Sequence, residues 1–200
     1  MKLVLASKNK GKLKEMSGIL SKRGVEVVLE SDVGADVEVE ETGETFEENA
    51  YLKASAVMKA TGFPAIADDS GLCVDALNGG PGVYTARFGG EGLDDRGRYT
   101  LLLESLKGQT DRSAHFISCI CCVFPNGDVI CANGVCDGTI AFAPMGTDGF
   151  GYDPVFFVPE KRKTFAQISS KEKNTISHRG KALEEFSEKF EEYCKEKNLC

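Results

Sequence analysis

At 200 residues, 42 % apolar and 28 % charged, the chain has the make-up of one globular domain, or of one domain with two lobes around a shared core. A net charge of −7 disfavours a general nucleic-acid or membrane-surface binder, yet leaves room for a small anion wherever lysines cluster. No apolar run approaches the ~20 residues that span a bilayer. The first apolar stretch is cut short by Lys8, Lys10 and Lys12, so no signal peptide is expected and the protein is expected in the cytoplasm.

In chain order, the pattern predicts a strand over residues 2–6, a polar loop, a helix over 11–20 and a second strand over 25–29. A helix is expected over 46–60, with Thr45 and Glu48 as a capping box and Gly62 as the stop. Residues 64–67 read as a short buried strand that ends in Asp68-Asp69-Ser70-Gly71. A glycine-rich loop at 78–82 and a helix over 95–106 follow. Two strands, 113–124 and 129–137, flank Pro125-Asn126-Gly127-Asp128, a strong hairpin signal. A strand over 155–158 and a last helix from about residue 177 complete the chain. Helices mixed with crossover strands and a hairpin imply an α/β fold around a mixed sheet with flanking helices.

The eight cysteines read as small core hydrophobes in a reducing compartment, with Cys200 a loose terminal thiol. Cys119 and Cys122 make a C-x-x-C, but it lies mid-strand and has no second pair at zinc spacing. His115 reads as a core histidine. The Lys/Glu alternation from 181 to 197 reads as a solvated helix face.

Four segments can carry chemistry. Ser7-Lys8-Asn9-Lys10-Gly11-Lys12 joins the first strand to the first helix, where free N–H groups and the helix dipole favour an anion. It is not a P-loop, and a solvated lysine face is an equal alternative. Val37-Glu38-Val39-Glu40-Glu41 places Glu38 and Glu40 on one side of an extended segment, with Glu41 opposite. Asp68 and Asp69 are delivered by an apolar strand together with Ser70, a better match to a magnesium site than to a surface turn. Phe150-Gly151-Tyr152-Asp153 suits stacking on a base, although a lone Phe is more often a core plug. Lys173 and the pair His178-Arg179 could grip a ligand or cap a helix, which periodicity does not decide.

Taken in order, these segments resemble the inosine triphosphate pyrophosphatase (Ham1/RdgB-like) family over nearly the whole chain, from Leu5 to Lys181. The matching parts are Ala6-Ser-Lys-Asn-Lys-Gly-Lys12, Glu40-Glu-Thr-Gly43 with Phe46-Glu-Glu-Asn-Ala50, and Ala67-Asp-Asp-Ser-Gly-Leu72. Gly80-Pro-Gly82 with Ala86-Arg87, Phe150-Gly-Tyr-Asp-Pro-Val-Phe156 and Ser177-His-Arg-Gly-Lys-Ala182 complete the series. One departure is Lys8, where many members have a glycine before the asparagine. The resemblance implies a single elongated, two-lobed domain over 1–200 with the nucleotide in the cleft between lobes, and a homodimer. It implies magnesium-dependent hydrolysis of ITP, dITP and XTP to monophosphate and pyrophosphate. Asp69 would be the general base and a metal ligand, with Glu40 a second ligand. Ser7, Lys8, Asn9, Lys10, Gly11, Lys12 and Ser70 would hold phosphate. Phe150 would stack on the base, while Gly151, Tyr152, Asp153, Lys173, His178 and Arg179 complete the base and sugar pocket. The rivals are an aspartyl-nucleophile phosphohydrolase, which needs D-x-D, a Maf-like nucleotide pyrophosphatase, and a nucleotide sensor without turnover.

Overall fold

The computed structural model describes residues 1–198, so Cys200 lies outside the described residues. Seven strands form one mixed sheet in the order β2-β1-β3-β4-β5-β6-β7. The elements are β1 (Lys2–Leu5), α1 (Lys10–Leu20), β2 (Glu26–Leu29), α2 (Phe46–Thr61), β3 (Ala65–Val74) and α3 (Asp95–Ser105). They continue with β4 (Ser113–Val123), β5 (Val129–Ile140), β6 (Phe156–Val158), β7 (Lys163–Thr164), α4 (Ser170–Ile176) and α5 (His178–Glu196). β1 runs parallel to β2 and β3, whereas β6 is antiparallel to both β5 and β7. No described helix is long and apolar enough to cross a membrane.

Local chemistry accounts for the element ends. Thr45 and Glu48 bond each other's backbone N–H, both at 3.1 Å, and Gly62 closes α2 with φ of +70°, as the capping signature predicts. The hairpin between β4 and β5 closes through Gly127 N to Phe124 O at 2.9 Å, with Gly127 at φ +88°. The strand expected to stop at the two aspartates is instead ten residues long. Its continuation, Gly71-Leu72-Cys73-Val74, is buried throughout and so remains good strand material. β1 pairs with β3 only as far as Leu5↔Ile66, so the aspartates lie beyond the carboxyl end of that neighbour. β7 and α4 were not expected from the pattern; both are short, and α4 is polar over most of its length.

The chain divides into two compact units. The first comprises Met1–Asp69, Ser118–Gly134 and His178–Cys200, and the second Ser70–Ile117 with Val135–Ser177. In the first, alternation sorts the strands into two faces. Leu3, Leu5 and Ile66 pack with Met16 and Leu20 of α1 and with Leu183 and Phe186 of α5. Val4, Ala65 and Ala67 pack with Ala54 and Val57 of α2. In the second, Phe116, Phe156 and Phe165 form a cluster with ring centres 4.7 to 6.0 Å apart.

One cysteine pair corrects the expectation of reduced core thiols. Cys121 of β4 and Cys131 of β5 are joined in a disulfide with their Cα atoms 4.2 Å apart, because the hairpin register sets them opposite each other. Cys73, Cys119, Cys122, Cys136 and Cys194 are buried thiols.

The start of α5 lies hard against β5. A Cβ at Gly134 would fall 2.1 Å from His178 O and 2.5 Å from Ala182 N, so only glycine permits this approach. Gly134→Ala should therefore lower Tm by about 4 °C or more, the cost of overpacking in a chain of this size, which calorimetry will show.

Candidate active site

Because β3 alternates, Asp68 follows Ile66 onto the α1/α5 face and Asp69 follows Ala67 onto the α2 face. Two adjacent carboxylates thereby enter different surroundings.

Asp68 is held by three elements. Lys12 of α1 meets its Oδ2 at 2.8 Å and its carbonyl at 3.0 Å. Arg179 of α5 approaches Oδ2 through Nη2 at 3.0 Å and Nε at 3.3 Å, and it also pairs with Glu15. Ser118 of β4 donates its hydroxyl to Oδ1. Burial alone would raise the Asp68 pKa, but Arg179 and then Lys12 override it and hold the carboxyl well below its usual range. Burial pulls the Lys12 ammonium down, with Asp68 opposing. Arg179 is pushed above its ordinary value because Asp68 and Glu15 outweigh the burial that opposes them.

Asp69 faces a lighter counter-charge. Lys53 of α2 reaches its Oδ1 at 2.6 Å and Glu41 at 3.0 Å. Burial raises the Asp69 pKa and prevails over Lys53. Its second oxygen, Oδ2, makes no hydrogen bond among the described residues. The segment bearing Glu40 and Glu41 is tied down by Asn49, a fully buried residue of α2 whose Oδ1 accepts from Gly43 N at 2.8 Å. Asn49 and Lys53, four residues apart, share one face of α2.

A cavity of about 720 Å³ opens here, and Ser7, Lys12, Glu40, Glu41, Lys53 and Asp68 are among its lining residues. At its edge Asn9 caps α1, accepting from Gly11 N at 2.8 Å and Lys12 N at 3.2 Å, so two of the amides expected to meet phosphate already have a partner. Ser7 Oγ accepts from Asn9 N at 3.1 Å. Lys8 also lines the cavity, though it is exposed and paired with Asp36; Lys10 is exposed. Ser70, half-buried, comes directly after Asp69. Among the described residues no group of three or more His, Cys, Asp or Glu is arranged to hold a metal ion. The residues nevertheless suit magnesium, which takes one or two carboxylates and completes its shell with phosphate oxygens and water. The uncommitted Oδ2 of Asp69 and the exposed Glu40 carboxylate beside the cavity are donors of that kind.

The second unit holds the aromatic loop. Asp153 and Lys173 are buried and paired at 2.7 Å. The Lys173 ammonium lies 4.9 Å from the centre of the Phe150 ring, a cation–π contact that leaves Phe150 half-buried. Gly149, at φ +80°, leaves room for Asp153, whose Oδ2 would lie 2.0 Å from any Cβ there and accepts from Phe150 N at 3.0 Å. Tyr152 is buried and bonds Thr85 O at 3.0 Å; its hydroxyl is pushed up to about 12, mainly by burial. His178 is buried at the first position of α5.

The structure thus joins Lys12 to Asp68, and Phe150, Asp153 and Lys173 to one another. It engages Arg179 with Asp68 and Glu15, where a base donor was expected. Lys53, Glu15, Ser118 and Asn49 were missed. The Asn49/Lys53 spacing was a usable signal; nothing in the sequence pointed to Ser118 on a strand that reads as core.

The protein has a mixed-sheet α/β fold, and its buried carboxylate–cation centre lies beside an open cavity lined by three lysines and five carboxylates. Residues 3–189 match the profile of the Ham1 family, and the chain belongs to that family. It is 48 % identical over 183 residues to a dITP/XTP pyrophosphatase of Exiguobacterium, covering 92 % of this chain and 93 % of the relative. A dITP/XTP pyrophosphatase of Desulforamulus reducens is 50 % identical over 190 residues, 94 % of each chain. The solved Ham1 protein of Staphylococcus aureus superposes with a TM-score of 0.87 at 42 % identity, over 96 % of this chain and all of that one.

Asp68→Asn leaves Arg179 and Lys12 short of their shared counter-ion. The expected loss is about 3–5 kcal/mol of stability, seen as a Tm roughly 6–20 °C lower. Since the Asp68 pKa is depressed on folding, its stabilisation is present above the unfolded pKa and is lost as pH falls through the folded one. The gap between wild type and variant should therefore narrow in acid, a trend that denaturant titrations at several pH values will measure.

Proposed function

We propose that the chain hydrolyses deaminated purine nucleoside triphosphates, dITP, XTP and ITP, to the monophosphate and pyrophosphate. The observation that carries this is Asp69, a buried carboxylate with a raised pKa and one uncommitted oxygen, set beside Lys53 and a cavity walled by Lys12, Ser7 and Glu40. The chain also keeps nearly the full length of relatives named dITP/XTP pyrophosphatase.

A triphosphate repels an attacking water, so catalysis consists mainly of charge neutralisation and in-line positioning. Lys12 and Lys53 supply fixed positive charge where the phosphates enter, with Ser7, Lys8, Asn9, Lys10, Gly11 and Ser70 adding hydrogen bonds. Asp69 orients the water and accepts its proton, and burial brings its basicity closer to neutrality than a free aspartate allows. Magnesium, held by Asp69 and Glu40, would screen the phosphates and acidify the water when bound. Asp68 keeps Lys12 in place. Arg179, with Nε, Nη1 and Nη2 already engaged, contributes mainly through Asp68.

The base is taken up by the Phe150 loop of the second unit. Phe150 stacks on the purine with the Lys173 ammonium near its ring, and Gly151, Tyr152 and Asp153 shape the edge. Hypoxanthine and xanthine present an O6 acceptor where adenine presents a donor. Donors fixed in the pocket leave ATP with unpaired groups, a mismatch worth up to ~10⁴-fold. The enzyme acts in the cytoplasm as a homodimer.

With ITP and magnesium, the products should be IMP and pyrophosphate in equal amounts, resolved by ion-exchange chromatography. Orthophosphate as the first product would favour a phosphatase instead. Asp69→Asn should lower kcat by at least ~100-fold with KM little changed, as expected for removal of a general base. A near-wild-type rate removes Asp69 from the mechanism.

A further inference from the structure

The Phe150 loop has little regular structure of its own. Gly149 and Gly151 both adopt positive φ, at +80° and +60°, a conformation that glycine adopts at no steric cost and that leaves the backbone freer than any other residue would. A ring carried on such a loop can stack productively only if the peptide beneath it is held from outside.

That hold comes from α3. Asp94 and Asp95 are adjacent carboxylates, and, as with Asp68 and Asp69, the two divide their work. Asp94 caps α3, accepting from Gly97 N at 2.7 Å. With the cap filled, the Asp95 carboxylate is available for another partner, and its Oδ2 accepts from Gly151 N at 2.7 Å across 56 residues of sequence. A bond this short to a charged acceptor is of the stronger kind. Because the peptide unit is planar, fixing the Gly151 N–H also fixes the direction of the Phe150 carbonyl, which accepts from Asp153 N at 3.2 Å. The neighbouring anchors act on other atoms: Asp153 on the Phe150 N–H, and the Thr85 carbonyl on the Tyr152 hydroxyl. Among the described residues, Asp95 alone bonds the Gly151 amide.

We infer that Asp95 is a positioning residue for purine recognition: it fixes the Gly151 peptide, and through it the Phe150 ring, before nucleotide arrives. The inference rests on the assignment of the Phe150 loop to the base. Asp95 touches no reacting atom, so its effect belongs in KM and in base discrimination rather than in the chemical step.

The test compares Asp95→Ala and Asp95→Asn in the full-length enzyme, with ITP hydrolysis and amide hydrogen exchange of Gly151 in nucleotide-free protein as the two readouts. Asp95→Ala should raise KM for ITP about three- to ten-fold with kcat changed less than about two-fold, the loss expected for one typical solvent-exposed hydrogen bond. It should also speed Gly151 exchange by about the same factor. Asp95→Asn keeps an acceptor oxygen but loses the charge, and should stay within about two-fold of wild type on both readouts. An unchanged KM in Asp95→Ala overturns the inference. So does an Asn variant as impaired as the Ala variant, since the carboxylate would then act only as a charge at the helix N-terminus. Unchanged Gly151 exchange in Asp95→Ala would discard the hydrogen bond itself. A wild-type enzyme that exchanges as expected yet turns over no ITP would bring down the functional assignment, and with it the role in purine recognition.

Discussion

A carboxylate removed from water must be met by cations or give up its charge, and Asp68, whose side chain has no exposed surface, is met by two. That one group ties together β3, the first turn of α1 and the first turn of α5, with Ser118 of β4 closing the fourth side. Lys12 is held at the cavity because Asp68 takes its ammonium through both a carboxylate oxygen and a backbone carbonyl. Stability alone does not account for such a centre, since apolar residues of similar volume often replace a buried ion pair at no loss. What the ionic centre provides is a lysine fixed at the cavity wall in a protein whose overall charge is negative.

Asp69 gains its character from being the next residue. Strand alternation turns it to the other face, where a single lysine shared with Glu41 is too little to offset burial. One strand therefore supplies one carboxylate held well below its usual range and one raised above its ordinary value, by the plain device of placing them side by side. The same economy recurs at Asp94 and Asp95, where one acid caps a helix and the other holds a distant loop.

Much of this was legible in the sequence, and the parts that were not share a cause. The capping box of α2 and the Asn-Gly hairpin are local signals, and the structure forms both where the sequence put them. β3 was cut short at Asp68-Asp69 because acids usually end strands; only the tertiary supply of Lys12, Arg179 and Lys53 lets a strand continue through them. Arg179 read as a ligand donor because its partners, Glu15 and Asp68, lie 164 and 111 residues away. The Cys121–Cys131 pairing depended on hairpin register, which composition does not contain. Lys53 was hidden in an ordinary helix, recoverable only by pairing it with Asn49 one turn earlier.

The division between the two adjacent aspartates can be measured directly by carboxyl-carbon NMR titration of the metal-free protein, with aspartate labelled at Cγ. Asp68 should remain ionised well below the usual carboxylate range while Asp69 titrates above the ordinary aspartate value. Two resonances that titrate together near the ordinary aspartate value, or in the reverse order, would contradict the split on which the site is built.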